Sequence, residues 1–311
     1  MTASPSTSST ALARTRPFYW SVRRELWENR SIYLAPLIVA GVVVFGFLFS
    51  LHNLPHAAQV LSGPKPGPDT DPAAISAYSR QVRTLMIPQF AAAAVLVVAL
   101  VVAVFYSLSA LNAERRDRSV LFWKSLPVSD RTTVLAKAFV PLAVLPVVVF
   151  AIMLVTQLIL LGLASAVIAA NGQGPAVLWS RMPTPAAMVG GLAYGLVMLS
   201  LWYAPIVGWL MLVSAWAKRT TFLWAVAPPL VVCLFELLAF HTAHVWSLLR
   251  SRLVDGLAAF SAGGEGKAPL HDLSQIDPMP FLTDPGFWGG LVFAAAAFAG
   301  CVWLRRRSDP V

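Results

Sequence analysis

The chain has 311 residues, of which 58% are hydrophobic and 12% charged. Soluble domains carry about 25% charged residues, so this composition excludes an ordinary soluble domain and places the chain among membrane proteins. The net charge of +9 does not indicate a nucleic-acid binder. Its Lys and Arg residues sit mostly in short segments beside apolar runs, the pattern that orients a membrane protein.

The Ser/Thr-rich start, Met1 to Thr10, leads into an expected disordered tail over 1–16. No short apolar core with a small-residue cleavage site follows it, so no cleaved signal peptide is expected. Residues 17–31 read as an amphipathic helix lying in the headgroup layer. Tyr19, Val22, Leu26 and Tyr33 recur at helical spacing, Trp20 and Trp27 lie beside them, and Arg23, Arg24, Glu25, Glu28 and Arg30 are interleaved.

Crossing the hydrocarbon core takes roughly 20 apolar residues in a helix. Candidate spans are Ile32–Leu51, Pro88–Leu111, Ala138–Leu163, Ala187–Val213, Phe222–Phe240 and Phe287–Leu304, so 32–304 forms an all-α domain of six transmembrane helices. The third and fourth are long enough to expect tilt or breaks. Pro141, Pro146, Pro205, Pro228 and Pro229 are expected kink positions.

If the N-terminus lies inside, the outer side takes only Lys65, Arg80, Arg83, Arg181, Arg250, Arg252 and Lys267; the rest of the 23 Lys and Arg residues fall on the inner side. That bias predicts both termini in the cytoplasm, with an inner loop at 112–137, outer loops at 52–87 and 241–286 and an inner tail at 305–311. In the first outer loop a Pro/Gly turn region, Gly63 to Pro72, precedes Ile75, Tyr78, Val82 and Leu85 on one helical face. In the second, Trp246, Leu249, Leu253, Leu257 and Phe260 do the same.

The inner loop Glu114–Asp130 has its own logic. Glu114 and Asp117 can pair with Arg118, with Arg115 and Arg116 between them. Val120, Leu121, Phe122, Trp123 and Leu126 then form an apolar knob next to Lys124; Pro127 stops the helix, and Ser129 or Asp130 can cap the next one. A charged collar around an aromatic knob suits docking into a groove on a soluble partner. The alternative is a positive-inside loop whose aromatic residues rest in the membrane interface.

The run from Glu114 to Arg131, followed by Leu135-Ala136-Lys137, resembles the loop after the second span in permeases of the type-2 ABC exporter family. There an acidic-basic pair opens the loop, a short helix of the form Leu-Phe-x-x-x-Leu-Pro-x-Ser follows, and a Lys begins the third span. The six-span layout and the amphipathic N-terminal helix extend the resemblance across the chain. The sizeable outer loop His52–Ile87 departs from it.

The resemblance implies that this loop is a coupling helix seated on a separate nucleotide-binding ATPase subunit, which would bind ATP and Mg. Glu114, Arg115, Arg116, Asp117, Arg118, Leu121, Phe122, Trp123, Lys124, Leu126 and Pro127 would carry the coupling. It also implies a second permease, a homodimer or a sister subunit, in a bacterial inner membrane, with the N-terminal helix as a lever at the membrane surface.

The chain itself lacks the phosphate-cradling Gly-x-x-x-x-Gly-Lys-Ser/Thr pattern; Gly263-Gly264-Glu265-Gly266-Lys267 is followed by Ala268 and reads as a Gly-rich turn. No nucleophile-base arrangement is visible, and no cofactor in this chain is expected. His241 with His244, and His52 with His56, have helical spacing but no third ligand to complete a metal site.

Glu236 is the only carboxylate well inside an expected span. Such a residue points either to a pathway or gate or to a hydrogen-bonded structural role. Gly191-x-x-x-Gly195, Gly290-x-x-x-Ala294 and Ala295-x-x-x-Ala299 are small-residue faces suited to close helix contact, and Gln157 can bond across helices. A secondary transporter would need more intramembrane ionisable groups than Glu236. An ATPase-linked anchor acting on an envelope partner without transport is the other rival. Apolar spans favour an amphiphilic or hydrophobic cargo.

Overall fold

A computed structural model describes residues 17–62, 67, 71–85, 87–113, 129–179, 184–256 and 278–307. Among these, all regular structure is helical: α1 (Pro17–Glu28), α2 (Ser31–Ser50), α3 (Leu54–Ser62), α4 (Pro72–Leu85), α5 (Ile87–Ser109), α6 (Asp130–Phe139), α7 (Leu145–Ala170), α8 (Ala176–Trp179), α9 (Pro185–Trp216), α10 (Thr221–Phe240), α11 (His244–Arg250), α12 (Met279–Leu282) and α13 (Pro285–Arg307). Six helical segments are long and apolar enough to cross a membrane: Ser31–Val60, Ala91–Ser109, Asp130–Ala170, Pro185–Trp216, Thr221–Phe240 and Pro285–Arg307. The chain is a multi-pass membrane protein.

Helices α2, α5, α7 and α9 pack around a shared core of Ala40, Val95, Ala99, Val149, Met153, Leu196 and Leu199. Helix α13 lies along α9, whereas α10 is exposed along most of its length, with Ala225 its one buried residue. One end of the bundle gathers the C-terminal ends of α5, α9 and α13 and the N-terminal ends of α6 and α10. It carries Arg131, Lys137, Lys218, Arg219 and Arg305 to Arg307, and is called the basic end below.

The first span runs further than its sequence suggests. His52, Asn53 and Pro55 read as the start of an outer loop, yet a short 3-10 turn joins α2 to α3, and Leu54, Ala57 and Ala58 are buried. Pro55 sits in the first turn of α3, where the helix continues through it. In α4, Tyr78 packs on the core at this end while Ile75 is exposed. The third span is longer still, because α6 continues into α7 through a π-helical turn at Val140–Val144. Pro141 lies within that turn and Pro146 just after it; they cannot donate to the carbonyls of Lys137 and Leu142, and the wider turn absorbs them without ending the helix. Pro205, Pro228 and Pro229 lie inside α9 and α10, and both helices continue through them.

The closest helix contact is α9 on α13. A Cβ on Gly208 would lie 3.1 Å from Ala297 Cβ and 3.3 Å from Ala294 Cα. One expected small-residue face therefore points inward through Ala294, while Ala295 and Ala299 of the other are exposed. Gly208→Val should lower stability by about 1–3 kcal/mol, since overpacking forces the backbones apart. Ala295→Leu should leave it within about 0.5 kcal/mol. Thermal unfolding of the detergent-solubilised variants checks both.

Candidate functional site: the frame at the basic end

Helix α1 turns one face to the bundle. Phe18, Val22, Glu25 and Leu26 share it at spacings of three and four. Val22 and Leu26 pack on the core, and the Phe18 ring meets Phe139 of α6 edge-on at 5.4 Å. Tyr19, Trp20 and Trp27 face outward, with the Arg23 guanidinium 5.2 Å from the Trp20 ring and 4.9 Å from the Trp27 ring. Glu25 therefore lies within the apolar stripe, not on the solvated side with Glu28, whose carboxylate binds Arg24 at 2.6 Å.

Glu25 is 4% exposed and Lys137 3%. Lys137 Nζ donates to Glu25 Oε1 at 2.7 Å, and Tyr106 Oη donates to Glu25 Oε2 at 2.9 Å. Three elements, α1, α5 and α6, thus meet on one carboxylate. A buried charge is tolerated only when paired and hydrogen-bonded, and here both oxygens are engaged.

A second network surrounds it. Ser214 of α9, fully buried, accepts from the Leu111 and Asn112 backbone N–H groups at 3.1 and 3.0 Å. Asn112 Nδ2 donates to Thr221 Oγ1 at the start of α10 at 3.1 Å. Ser129 is the N-cap of α6 and accepts from Thr132 N–H at 3.2 Å. Asp130 instead takes the Arg305 Nε–H of α13 at 2.9 Å. The described residues on either side of 114–128 are therefore anchored: Asn112 to α9 and α10, and Asp130 to α13, with the Glu25 cluster beyond them on α1, α5 and α6.

The expected coupling residues Glu114, Arg115, Arg116, Asp117, Arg118, Leu121, Phe122, Trp123, Lys124, Leu126 and Pro127 lie outside the described residues. What the structure supplies is the frame on either side of them. The Lys137 that begins the third span in the family resemblance is the Lys that holds Glu25.

At the opposite end Glu236 turns back toward the α10–α11 junction. It accepts from the backbone N–H groups of His244 and Val245, both at 2.8 Å, and from Thr242 Oγ1 at 2.9 Å; His244 Nδ1 is 3.1 Å away. Ala243, the N-cap of α11, supplies no side-chain cap, so Glu236 satisfies donors that open that helix. His241 adopts a left-handed conformation (φ 51°) where α10 ends. His241 and His244 thus serve the junction, and no group of three His, Cys, Asp or Glu side chains suited to a metal occurs among the described residues.

Arg252, read from sequence as an outer-loop residue, packs back onto α9. Its guanidinium lies 4.3 Å from the Trp202 ring centroid and donates to the Gly286 carbonyl. Trp202 Nε1 donates to the Arg252 carbonyl at 3.1 Å, and Tyr203 Oη to that of Leu253 at 2.9 Å. Burial lowers the Arg252 pKa and the Asp284 carboxylate partly offsets this, but a guanidinium stays charged throughout. A Cβ on Gly256 would lie 2.7 Å from Trp202 Nε1, so glycine is required for this approach.

No protein-family model, no curated protein and no solved structure matches the chain. Its sites must therefore be read from their own chemistry.

Breaking a buried pair leaves an uncompensated charge and costs about 3–5 kcal/mol, whereas replacing the whole pair with apolar groups is often neutral. Glu25→Met and Lys137→Met should each lower stability by about that amount. The triple change Glu25→Met, Lys137→Met and Tyr106→Phe should recover most of it. Thermal unfolding of the four proteins tests this. Separately, Glu236→Ala should speed amide hydrogen exchange at His244 and Val245 while leaving exchange in α6 unchanged.

Proposed function

We propose that the chain is the membrane-spanning permease subunit of an ATP-driven exporter of the type-2 ABC kind. In this reading ATP and Mg are bound and hydrolysed by a separate ATPase subunit seated on the segment Glu114–Pro127. The observation that carries it is the anchoring of both flanks of that segment to nearly every span. A push delivered at a loosely tethered loop would be lost in the loop. Here Asn112 is tied to α9 and α10, Asp130 to α13, and Lys137 to α1 and the Glu25 cluster. Displacement of the segment therefore moves a frame.

The sequence resemblance supplies the partner class, and because these residues hold no phosphate-binding loop, ATP hydrolysis in this reading is assigned to the partner. The charge bias supports the basic end and both termini as cytoplasmic. Two such permeases, identical or sister subunits, would line the path. Helix α1 takes the role of a lever, since its inward face is fixed to α6 while its aromatic and basic face meets the headgroup layer. Glu236 holds the α10–α11 junction; a part for it in the pathway or gate rests on its place in the span alone.

A second reading gains support from one observation. Glu236 is not alone as an ionisable group in the helical bundle, because Glu25 and Lys137 are buried there too. Ion-coupled secondary transport uses such groups. The pair lies at the basic end in a satisfied network, not at a helix break near the midplane, which favours the mechanical role.

Membrane extracts from the native host, captured through this chain, should co-purify Mg-dependent ATP hydrolysis. Phe122→Ala with Trp123→Ala should reduce that activity at least about tenfold, the size expected for aromatic interface anchors. Unchanged co-purification would remove the knob from the docking role. Uptake of cargo into inverted vesicles that persists with ATP after ion gradients are collapsed separates the two readings.

A further inference from the structure

Among the described residues only two that are not glycine have a left-handed backbone, Thr220 (φ 50°) and His241 (φ 51°). They are the two residues that bracket α10. A left-handed backbone crowds Cβ against the following carbonyl, and a branched Cβ such as that of Thr suffers most. The residue before a helix is normally extended, with its side chain capping the first N–H groups. Thr220 is left-handed and caps nothing. His241 stands where helices commonly turn on a glycine. Helix α10 is thus strained at both ends.

Its foot is clasped by two hydrogen bonds. Asn112 Nδ2 donates to Thr221 Oγ1 at 3.1 Å, and Trp209 Nε1 to the Ala225 carbonyl at 3.0 Å. The Trp224 ring meets Trp216 edge-on at 4.9 Å beside them. Beyond Ala225 no residue of α10 is buried. Pro228 and Pro229 supply no N–H to the carbonyls of Trp224 and Ala225, so the helix is also weakened just above the clasp. At its far end Glu236 holds the opening N–H groups of α11. The segment after α11 is pinned to α9 by Trp202 and Tyr203.

Backbone strain persists only where surrounding contacts over-determine it. We propose that α10 is a loaded strut: the Asn112 and Trp209 side chains hold its foot in the strained position, and their release lets Thr220 and His241 relax as the helix pivots against α9. Asn112 governs the release. It lies two positions before Glu114, so movement of that segment pulls on the Thr221 bond. Helix α9 is the fixed reference, because its seam with α13 at Gly208 is too close for sliding. The device is built from this chain's own contacts and does not depend on the ATPase reading.

The chain's two cysteines permit a direct test. Cys233 lies in the upper half of α10, and Cys301 is buried in α13. In a Cys301→Ala background, spin labels on Cys233 and on Val147→Cys, an exposed site of α7, report the distance between the two helices. The full chain is measured in lipid nanodiscs without nucleotide, diluted with unlabelled chain. Asn112→Ala and Trp209→Phe should each raise a second distance population about fivefold, the size of one hydrogen bond. Adding Thr220→Gly with His241→Gly should reverse that rise at least about fivefold, since glycine takes the left-handed backbone without strain. A helix that had merely come loose would gain freedom from the two glycines and move the other way. Thr221→Val removes the same bond with little change of shape and stands in if Asn112→Ala does not fold. One unchanged distance in the release variants overturns the proposal, as does a second population that the two glycines enlarge or leave alone.

Discussion

The buried contact of Glu25 with Lys137 and Tyr106 is the constraint on which the basic end depends. It joins residues 112 and 81 positions apart in the chain, and neither charge can be left alone away from water. Wherever α1 goes, the start of the third span must follow, because separating them would strand a carboxylate and an ammonium in an apolar setting. The edge-on Phe18–Phe139 contact adds apolar area to the same seam. An amphipathic helix whose aromatic face is exposed is thereby assigned one position and one rotation on the bundle.

The remaining polar contacts obey the same economy of placement. Little of the bundle's interior is polar, and the groups that are buried close specific gaps: Ser214 takes two backbone donors where α5 ends, and Glu236 takes two where α11 begins. Each answers chain geometry: Leu111 and Asn112 lie just past the last turn of α5, and the first N–H groups of α11 have no partner within their own helix. Prolines create the complementary need. The carbonyl freed by Pro229 is met by Trp209, and the pair Pro141 and Pro146 is met by a π-helical turn. Trp209 is held against α10 for this reason.

The two ends of the molecule differ in kind. At the basic end the contacts run between elements distant in sequence, and they converge on the two points where the charged segment joins the bundle. At the other end Arg252, Trp202 and Gly286 fold a connecting segment back onto α9 and α13. A displacement applied at the first end therefore meets a cross-braced frame, and a connector pinned on α9 lies at the second.

Sequence alone determined the membrane class, the six spans and the segments carrying charge. These depend on composition and on runs of about 20 residues, which need no knowledge of neighbours. It also located helix α1 through its stripe. It could not rank residues within that stripe. Glu25 was grouped with the solvated charges because its type is usually exposed, although its spacing from Phe18 and Val22 placed it on the inner face. Its partner lies 112 residues away, and no local pattern reports such a distance. For the same reason His52, Asn53 and Pro55 resembled a loop although Leu54, Ala57 and Ala58 are buried, and Arg252 resembled a loop cation although it lies on Trp202. Only tertiary packing decides which face of a helix meets a neighbour, and therefore which of several similar small-residue faces, Ala294 rather than Ala295, is the seam.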